Sequence, residues 1–391
     1  MEFSYRCSLC ARSYDITPEL TLCPTCSAQQ QPDQPLHGVL DVELVGEVGA
    51  DFSVFDLLPA EREFFTPGPV GNTPLWEPRN VRASLGFPQL YIKDDGSNPT
   101  ASFKDRASYL VSAFARKFSI NEITLASTGN AGSSMAGIGA AAGQQITLFL
   151  PESAPIAKLI QALQYGAKVY RVAGNYDLAY DISLDYSRRK GGMNRNTAYN
   201  PMTIEGKKSV ALELFQQLGR APDTLFVSVG DGCILSGVYK GFRDLKQLGL
   251  IADVPKIIGV QAEGSDALCR ALQTGEFTPR PAATVADSIS VDVPRNGLHA
   301  LQQLKTFNGE LMTVSDDEII AAQVRLSAST GLFTEPAGAA AFAGFIKAAP
   351  DLDRNALTVV LTTGNGLKDS RSAQLGIHLP EELIGSIDDI L

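Results

Sequence analysis

Short runs of β-branched and apolar residues recur along the 391-residue chain, separated by longer segments that are alanine-rich or apolar at helical spacing. The runs Gln89–Lys93, Glu122–Ala126, Gln145–Leu150, Lys168–Val172, Thr224–Val229, Lys256–Gln261 and Thr358–Thr362 predict strands. Lys104–Phe118, Gly132–Ala142, Ala154–Tyr165, Ile204–Leu218, Gly232–Gln247, Asp316–Thr330 and Ala337–Ala348 predict helices. Strands alternating with helices predict an α/β fold with largely parallel sheets covered on both faces. Ligands of such sheets sit at the carboxyl ends of strands, in the loops that lead to helices. The unusual residues of this chain fall in those loops.

Four loops carry candidate chemistry. In Asp94-Asp95-Gly96-Ser97-Asn98-Pro99-Thr100-Ala101-Ser102-Phe103-Lys104-Asp105-Arg106 a strand ends, a polar turn follows and a helix begins near Lys104. The positive end of a helix dipole lowers the pKa of an amine placed there. That suits an amine that must be neutral to form a Schiff base, although spacing alone also fits an exposed lysine beside Asp105. Leu125-Ala126-Ser127-Thr128-Gly129-Asn130-Ala131-Gly132 opens a helix with small hydroxyls and free N–H groups, which suit a carboxylate, a phosphate or a plain cap. Val229-Gly230-Asp231-Gly232-Cys233-Ile234-Leu235-Ser236-Gly237 lets the backbone approach a phosphate, yet lacks both the Walker ending and the Rossmann glycine spacing. Leu361-Thr362-Thr363-Gly364-Asn365-Gly366 sets a threonine at a strand end, where it serves a ring nitrogen or a polar turn. Jointly these loops offer a lysine for an aldehyde, a phosphate cradle, a ring-nitrogen partner and a carboxylate cradle. Pyridoxal phosphate acting on an amino acid needs those four things.

Composition narrows the field. Acidic residues outnumber basic ones, 43 to 33, for a formal charge of −10, which disfavours a large nucleic-acid or anionic-membrane footprint. No apolar run reaches transmembrane length, and the opening residues lack a basic region followed by an apolar stretch, so a cytoplasmic protein is expected. The three histidines, His37, His299 and His378, lie in none of the four loops, and no His-Glu-x-x-His helix is present. Four of the six cysteines form Cys7-x2-Cys10 and Cys23-x2-Cys26. Without a secretory signal, two such knuckles read as a tetrahedral structural zinc site in a ribbon-like segment, residues 1–30, and not as disulfides. The proline-bearing stretch Gln29-Gln30-Gln31-Pro32-Asp33-Gln34-Pro35 opens a linker assigned to residues 31–50.

Further text connects these loops to a family. Gly71-Asn72-Thr73-Pro74-Leu75, Asn98-Pro99-Thr100-Ala101-Ser102-Phe103-Lys104-Asp105-Arg106 and Ser127-Thr128-Gly129-Asn130 are followed by Asn200-Pro201 and Glu205-Gly206-Lys207-Lys208. Glu335-Pro336-Ala337 and Thr363-Gly364-Asn365-Gly366-Leu367-Lys368-Asp369 complete the series. In this the chain resembles the threonine synthases of the tryptophan-synthase-β-like (fold type II) pyridoxal-phosphate enzymes. The resemblance implies two doubly wound α/β domains with the cofactor between them. Residues 51–103 and 201–391 form the large domain and 104–200 the smaller inserted one, which closes on substrate; a homodimer is usual. It also implies roles. Lys104 carries the cofactor and moves the α-proton, Asn130 bonds the ring oxygen, Gly230, Asp231, Gly232, Cys233 and Ile234 hold the phosphate, and Thr363 faces the ring nitrogen. Ser127, Thr128, Gly129 and Asn130 cradle the substrate carboxylate.

Two departures bear on the substrate. Thr203 stands where the family commonly has an arginine that grips the substrate's phosphate, and Thr197-Ala198 replaces an Asn-Ser pair. Thr203 is kept among the substrate-binding candidates, with Lys158, Lys207 and Arg295 as alternative sources of charge. Ala101 and Ala107 replace the glycines that usually flank the Ser-Phe-Lys-Asp-Arg motif. The reading is a threonine synthase-like carbon–oxygen lyase on a small amino acid with or without a phosphate ester. A β-elimination or β-replacement enzyme on serine, phosphoserine or a related amino acid, cysteate synthase-like or dehydratase-like, is the alternative, and a non-catalytic cofactor-binding regulator comes third.

Overall fold

The computed structural model describes residues 1–49, 51–152, 156–381 and 383–386, with the backbone alone for 156–158. Thirteen strands are present among them. They are β1 (Glu2–Cys7), β2 (Ser13–Tyr14), β3 (Leu40–Val45), β4 (Leu75–Trp76), β5 (Leu90–Asp94), β6 (Glu122–Ala126), β7 (Gln145–Pro151), β8 (Lys168–Val172), β9 (Met193–Asn194), β10 (Thr224–Ser228), β11 (Lys256–Ala262), β12 (Glu310–Val314) and β13 (Thr358–Thr362). A six-stranded sheet runs β12-β11-β10-β13-β5-β4 and a four-stranded one runs β8-β7-β6-β9. Every neighbouring pair in both is parallel except β4 with β5. The central β10 and β13 are buried at every position, as their unbroken apolar text requires of strands covered on both faces. The fold is thus α/β, as the alternating pattern predicts.

All seven predicted strands form. The structure adds six that the pattern reading passed over, five of them either two residues long or at a sheet edge. Among the described helices of eight residues or more, three lie outside the predicted ones: Tyr176–Lys190, Ala267–Thr274 and Gly297–Thr306. Of the expected helix Ala154–Tyr165, the part Ile156–Gln164 is seen, and residues 154 and 155 fall outside the described residues. The helix expected over Ile204–Leu218 is broken into Met202–Glu205, a tight turn at Gly206–Lys208, and Ser209–Leu218. Close packing explains the break. A Cβ on Gly206 would lie 2.5 Å from the Arg106 carbonyl oxygen and 3.0 Å from Ala107 Cα. The stretch expected as a linker over 31–50 also differs. Its second half is β3, which pairs antiparallel with β1 along the cysteine segment and alternates buried apolar Leu40, Val42 and Leu44 with polar neighbours. Among the described residues no helix is long and apolar enough to cross a membrane.

A buried ion cluster holds the centre of the fold. Arg106 sits in the first turn of the helix Lys104–Lys117, 2% exposed. Its Nε and Nη2 donate to Asp95 at 2.6 and 2.9 Å, and its Nη1 and Nη2 donate to Glu213 at 2.6 and 2.8 Å. Lys93 Nζ lies 2.9 Å from the same Glu213 carboxylate. Gly71 closes over the cluster with φ +78°, where a Cβ would meet Glu213 Oε1 at 2.4 Å. Four separated stretches of chain therefore meet on one guanidinium. Burial alone would raise the Glu213 pKa, but Arg106 and Lys93 hold it at about 2. The stability this carboxylate contributes, on the order of 3 kcal/mol, is complete above its unfolded pKa and lost as pH falls from about 4.5 towards 2. Arg106→Met should cost ~3–5 kcal/mol in denaturant unfolding, because it strands two buried carboxylates. Between pH 6 and 3, Glu213→Gln should lose less stability than the unaltered chain; equal losses would show that this carboxylate does not carry the acid sensitivity.

Candidate active site

The loops singled out in the sequence converge at the carboxyl ends of β5, β6, β10 and β13. Lys104 begins its helix directly after Phe103, whose N–H donates to the Thr363 carbonyl at 2.8 Å. Asn365 N–H donates to Ala101 O at 3.0 Å, and Ser102 bridges Gly364. On the other side of Gly364, its carbonyl accepts from Glu335 N–H at 2.9 Å and Thr334 Oγ1 at 2.6 Å. The Glu335 carboxylate then accepts from Asn130 Nδ2 at 2.9 and 3.1 Å. One continuous line of hydrogen bonds thus runs from the Lys104 loop through Thr363 and Glu335 to Asn130. Gly364 is needed in it, because a Cβ there would lie 2.3 Å from Glu335 Oε1. Ala101 holds a left-handed conformation, φ +65°, at the position where the family text usually has glycine.

Burial pushes the Lys104 amine below the ordinary lysine range, and Glu335 and Asp231 only partly restore it. A lysine so placed is a neutral nucleophile more readily than one in water. It borders a cavity of about 300 Å³, together with Ser127, Thr128, Gly129, Asn130 and Asp231. Opposite them the segment from Asp287 to Arg295 closes the wall. Ser127 Oγ already accepts from the N–H groups of Gly132 and Gly129, at 2.9 and 3.3 Å, and so shapes the turn as a cap would.

The glycine loop at Gly230 leads into the helix Cys233–Gln247. Gly232 caps that helix at φ +85° with no side-chain hydrogen bond, which leaves first-turn N–H groups for another acceptor. Asn296 Nδ2 braces the loop through Gly232 O at 3.1 Å and Ser236 Oγ at 2.7 Å. Gly230 lies against Ile289, where a Cβ would be 2.9 Å from Ile289 Cα. Asp231 borders the cavity, whereas Gly230, Gly232, Cys233, Ile234 and the buried Thr363 do not line it.

Thr203 is placed differently from the other candidates. It is fully buried, and its hydroxyl donates to Asn200 O at 2.7 Å and accepts from Ala198 N–H at 3.3 Å. It does not border the cavity. Of the alternative charges, Arg295 is on the wall and pairs with Asp177, Lys207 is buried behind it, and the Lys158 side chain is outside the described residues. Sequence reasoning gives no role to Glu335, although it precedes Pro336 at a helix start, nor to Asp287–Val293 or the buried Arg195.

The four cysteines of the N-terminal segment gather as their spacing predicts, all sulfurs within 4.8 Å of one another. Cys7 and Cys26 are 3.8 Å apart and Cys10 and Cys23 are 3.7 Å apart. Tetrahedral thiolates at the usual zinc–sulfur distance of ~2.3 Å are about 3.8 Å apart, so the donor set fits that ion.

Residues 67–364 match the family model described as pyridoxal-phosphate dependent enzyme. The chain is 36% identical over 310 residues to a threonine synthase of Methanocaldococcus jannaschii, covering 78% of this chain and 76% of that protein. With a threonine synthase of Methanosarcina acetivorans it is 33% identical over 393 aligned residues, covering 94% and 96%. The fold is similar to that of threonine deaminase isoform 2 from Solanum lycopersicum, with a TM-score of 0.69 at 22% identity over 85% of this chain and 97% of that one. Maize serine racemase gives a TM-score of 0.66 at 20% identity over 78% and 93%.

Removing the Glu335 carboxylate takes both charged acceptors from the buried Asn130 amide and leaves it only Ser288 Oγ at 3.2 Å. Glu335→Ala should therefore cost ~1–3 kcal/mol in thermal or denaturant unfolding, and Glu335→Gln less. A cost below ~0.5 kcal/mol would show that the line of hydrogen bonds does not order this loop.

Proposed function

The chain belongs to the pyridoxal-phosphate dependent enzymes as a threonine synthase-like lyase, and from that premise we propose that it transforms a small amino acid, with or without a phosphate ester, at Lys104. The observation that carries this reading is Lys104, its amine pushed below the ordinary lysine range by burial, at the rim of a cavity lined by Ser127–Asn130. When bound, the cofactor supplies electron withdrawal from the amino acid's α-carbon. The residues present fit it. Lys104 would attach its aldehyde, the open first turn after Gly232 would hold its phosphate with Gly230–Ile234, and Thr363 would meet the ring nitrogen as a neutral partner. Asn130, already fixed by Glu335, would face the ring oxygen.

The chain's own groups then divide the work. The N–H groups and hydroxyls of Ser127, Thr128 and Gly129 orient the substrate carboxylate. Lys104 Nζ, its pKa lowered by burial, takes the α-proton and returns it. The four-stranded sheet of residues 104–200 would close over the cavity as a smaller domain against 51–103 and 201–391, excluding water. A cytoplasmic homodimer and a structural zinc ion on Cys7, Cys10, Cys23 and Cys26 complete the reading, supported by the resemblance and by the sulfur geometry.

A second reading, β-elimination or β-replacement on serine or a related amino acid, has one observation in its favour. The position that grips a phosphate in the family is here Thr203, sealed by its own backbone contacts. The cavity wall carries Asp177, Asp231, Asp287 and Asp292 beside Arg295, which is paired with Asp177.

Cofactor-loaded protein should be given O-phosphohomoserine, O-phosphoserine, serine, threonine and homoserine. Release of threonine and phosphate from the first supports the threonine synthase activity; turnover of the three-carbon substrates alone supports the second reading. Lys104→Ala should abolish turnover and the visible absorbance of the bound cofactor; an unaltered spectrum would remove Lys104 from its role. Metal analysis should find one zinc ion per chain, and its removal by a chelator should lower the melting temperature. Metal-free protein of equal stability would reject the structural ion.

A further inference from the structure

Two buried cations have no part in the reading above. Arg195 follows β9 and is 1% exposed, and its Nε and Nη2 have no hydrogen-bond partner among the described residues. A buried guanidinium left in that state is costly, so the site is built for an acceptor that joins later. Lys207, also 1% exposed, donates from Nζ to Thr203 O at 2.6 Å and has further N–H groups to offer. Burial draws its pKa down to about 7, with Arg195 and Lys104 among the charges that add to the lowering.

Their placement says which anion. The turn that carries Lys207 lies against the helix Cys233–Gln247, since a Cβ on Gly237 would come 2.5 Å from Lys207 Cβ. Arg195 and Lys207 both act electrostatically on Cys233, the first residue of that 15-residue helix, whose N-terminal cap makes no side-chain bond. Neither side chain borders the cavity shared by Lys104 and Ser127–Asn130. Both act instead on the residue that opens the helix Cys233–Gln247. Burial raises the pKa of the nearby Asp231, against the opposing pull of Arg295, Lys104 and Lys207.

We propose that Arg195 and Lys207 form a cationic floor beneath the first turn of Cys233–Gln247, and that they pair with the phosphate of the cofactor as its dianion. This rests on the cofactor reading of the site given above. The phosphate is then held from two sides: backbone N–H groups and helix dipole above, two desolvated cations below.

Full-length protein stripped of cofactor should be titrated with pyridoxal 5'-phosphate and with phosphate-free pyridoxal, reading visible absorbance. Lys207→Gln and Arg195→Gln should each weaken the phosphorylated ligand about 10- to 100-fold, the range of a lost charge-assisted hydrogen bond, and leave pyridoxal within about twofold. Lys207→Arg should recover most of the loss. Equal weakening of both ligands would overturn the proposal in favour of a packing role. Unchanged cofactor affinity with a raised KM for a phosphorylated substrate would overturn it in favour of a substrate site. A wild type that develops no visible absorbance with either ligand would instead overturn the cofactor reading, and this proposal with it. Phosphorus NMR of the unaltered holoenzyme needs no variant. The bound phosphate should remain a dianion well below its ordinary second pKa of about 6; a resonance that titrates near 6 would contradict the floor.

Discussion

The rest of the structure depends on one buried guanidinium. Arg106 joins Asp95, at the end of β5, to Glu213, in the helix Ser209–Leu218, and Lys93 shares the second carboxylate. Ion pairs out of water are worth keeping only when each charge is fully met, and this cluster meets its charges with bidentate contacts. Lys104 lies two residues ahead of Arg106 in the same first turn. Fixing the guanidinium therefore fixes where the helix starts, and with it the amine that faces the cavity. The glycine at 71 and the tight turn at Gly206 are consequences of the same crowding.

From that anchor the site is assembled largely by backbone. The Lys104 loop, the strand end at Thr363 and the helix start at Glu335 are joined by main-chain hydrogen bonds, and the Glu335 carboxylate carries the order on to Asn130. Side chains expected to touch cofactor or substrate are thus held by groups that touch neither. Such an arrangement tolerates little displacement, and preorganised geometry of this kind is what catalytic constellations require.

Much of this was legible in the sequence because it follows from local rules. Parallel strands buried on both faces leave continuous apolar text, as in β10 and β13, and the loops after them stand out by their glycines and hydroxyls. The paired Cys-x2-Cys knuckles were legible for the same reason. What escaped was set by tertiary contact. β3 was read into a linker because six residues beside a proline-bearing stretch show their role only when β1 pairs with them. The helix at Ile204 continues in periodicity but is broken by the approach of Arg106 and Ala107 to Gly206. Thr203 was held as a substrate group because its position in the family text is occupied by one, whereas here its hydroxyl closes on Asn200 and Ala198. Arg195 carries no local signature, and Glu335 carries only its place before Pro336 at a helix start. Only their burial and their partners, or lack of partners, distinguish them.

The central claim is that Lys104 is the residue that binds the cofactor covalently. The most direct measurement is to reduce the cofactor-loaded protein with borohydride, digest it, and locate the modified lysine by mass spectrometry. The account predicts a single pyridoxyl adduct, on the peptide containing Ser102-Phe103-Lys104. An adduct on Lys207 or any other lysine, or none after full cofactor loading, would contradict it.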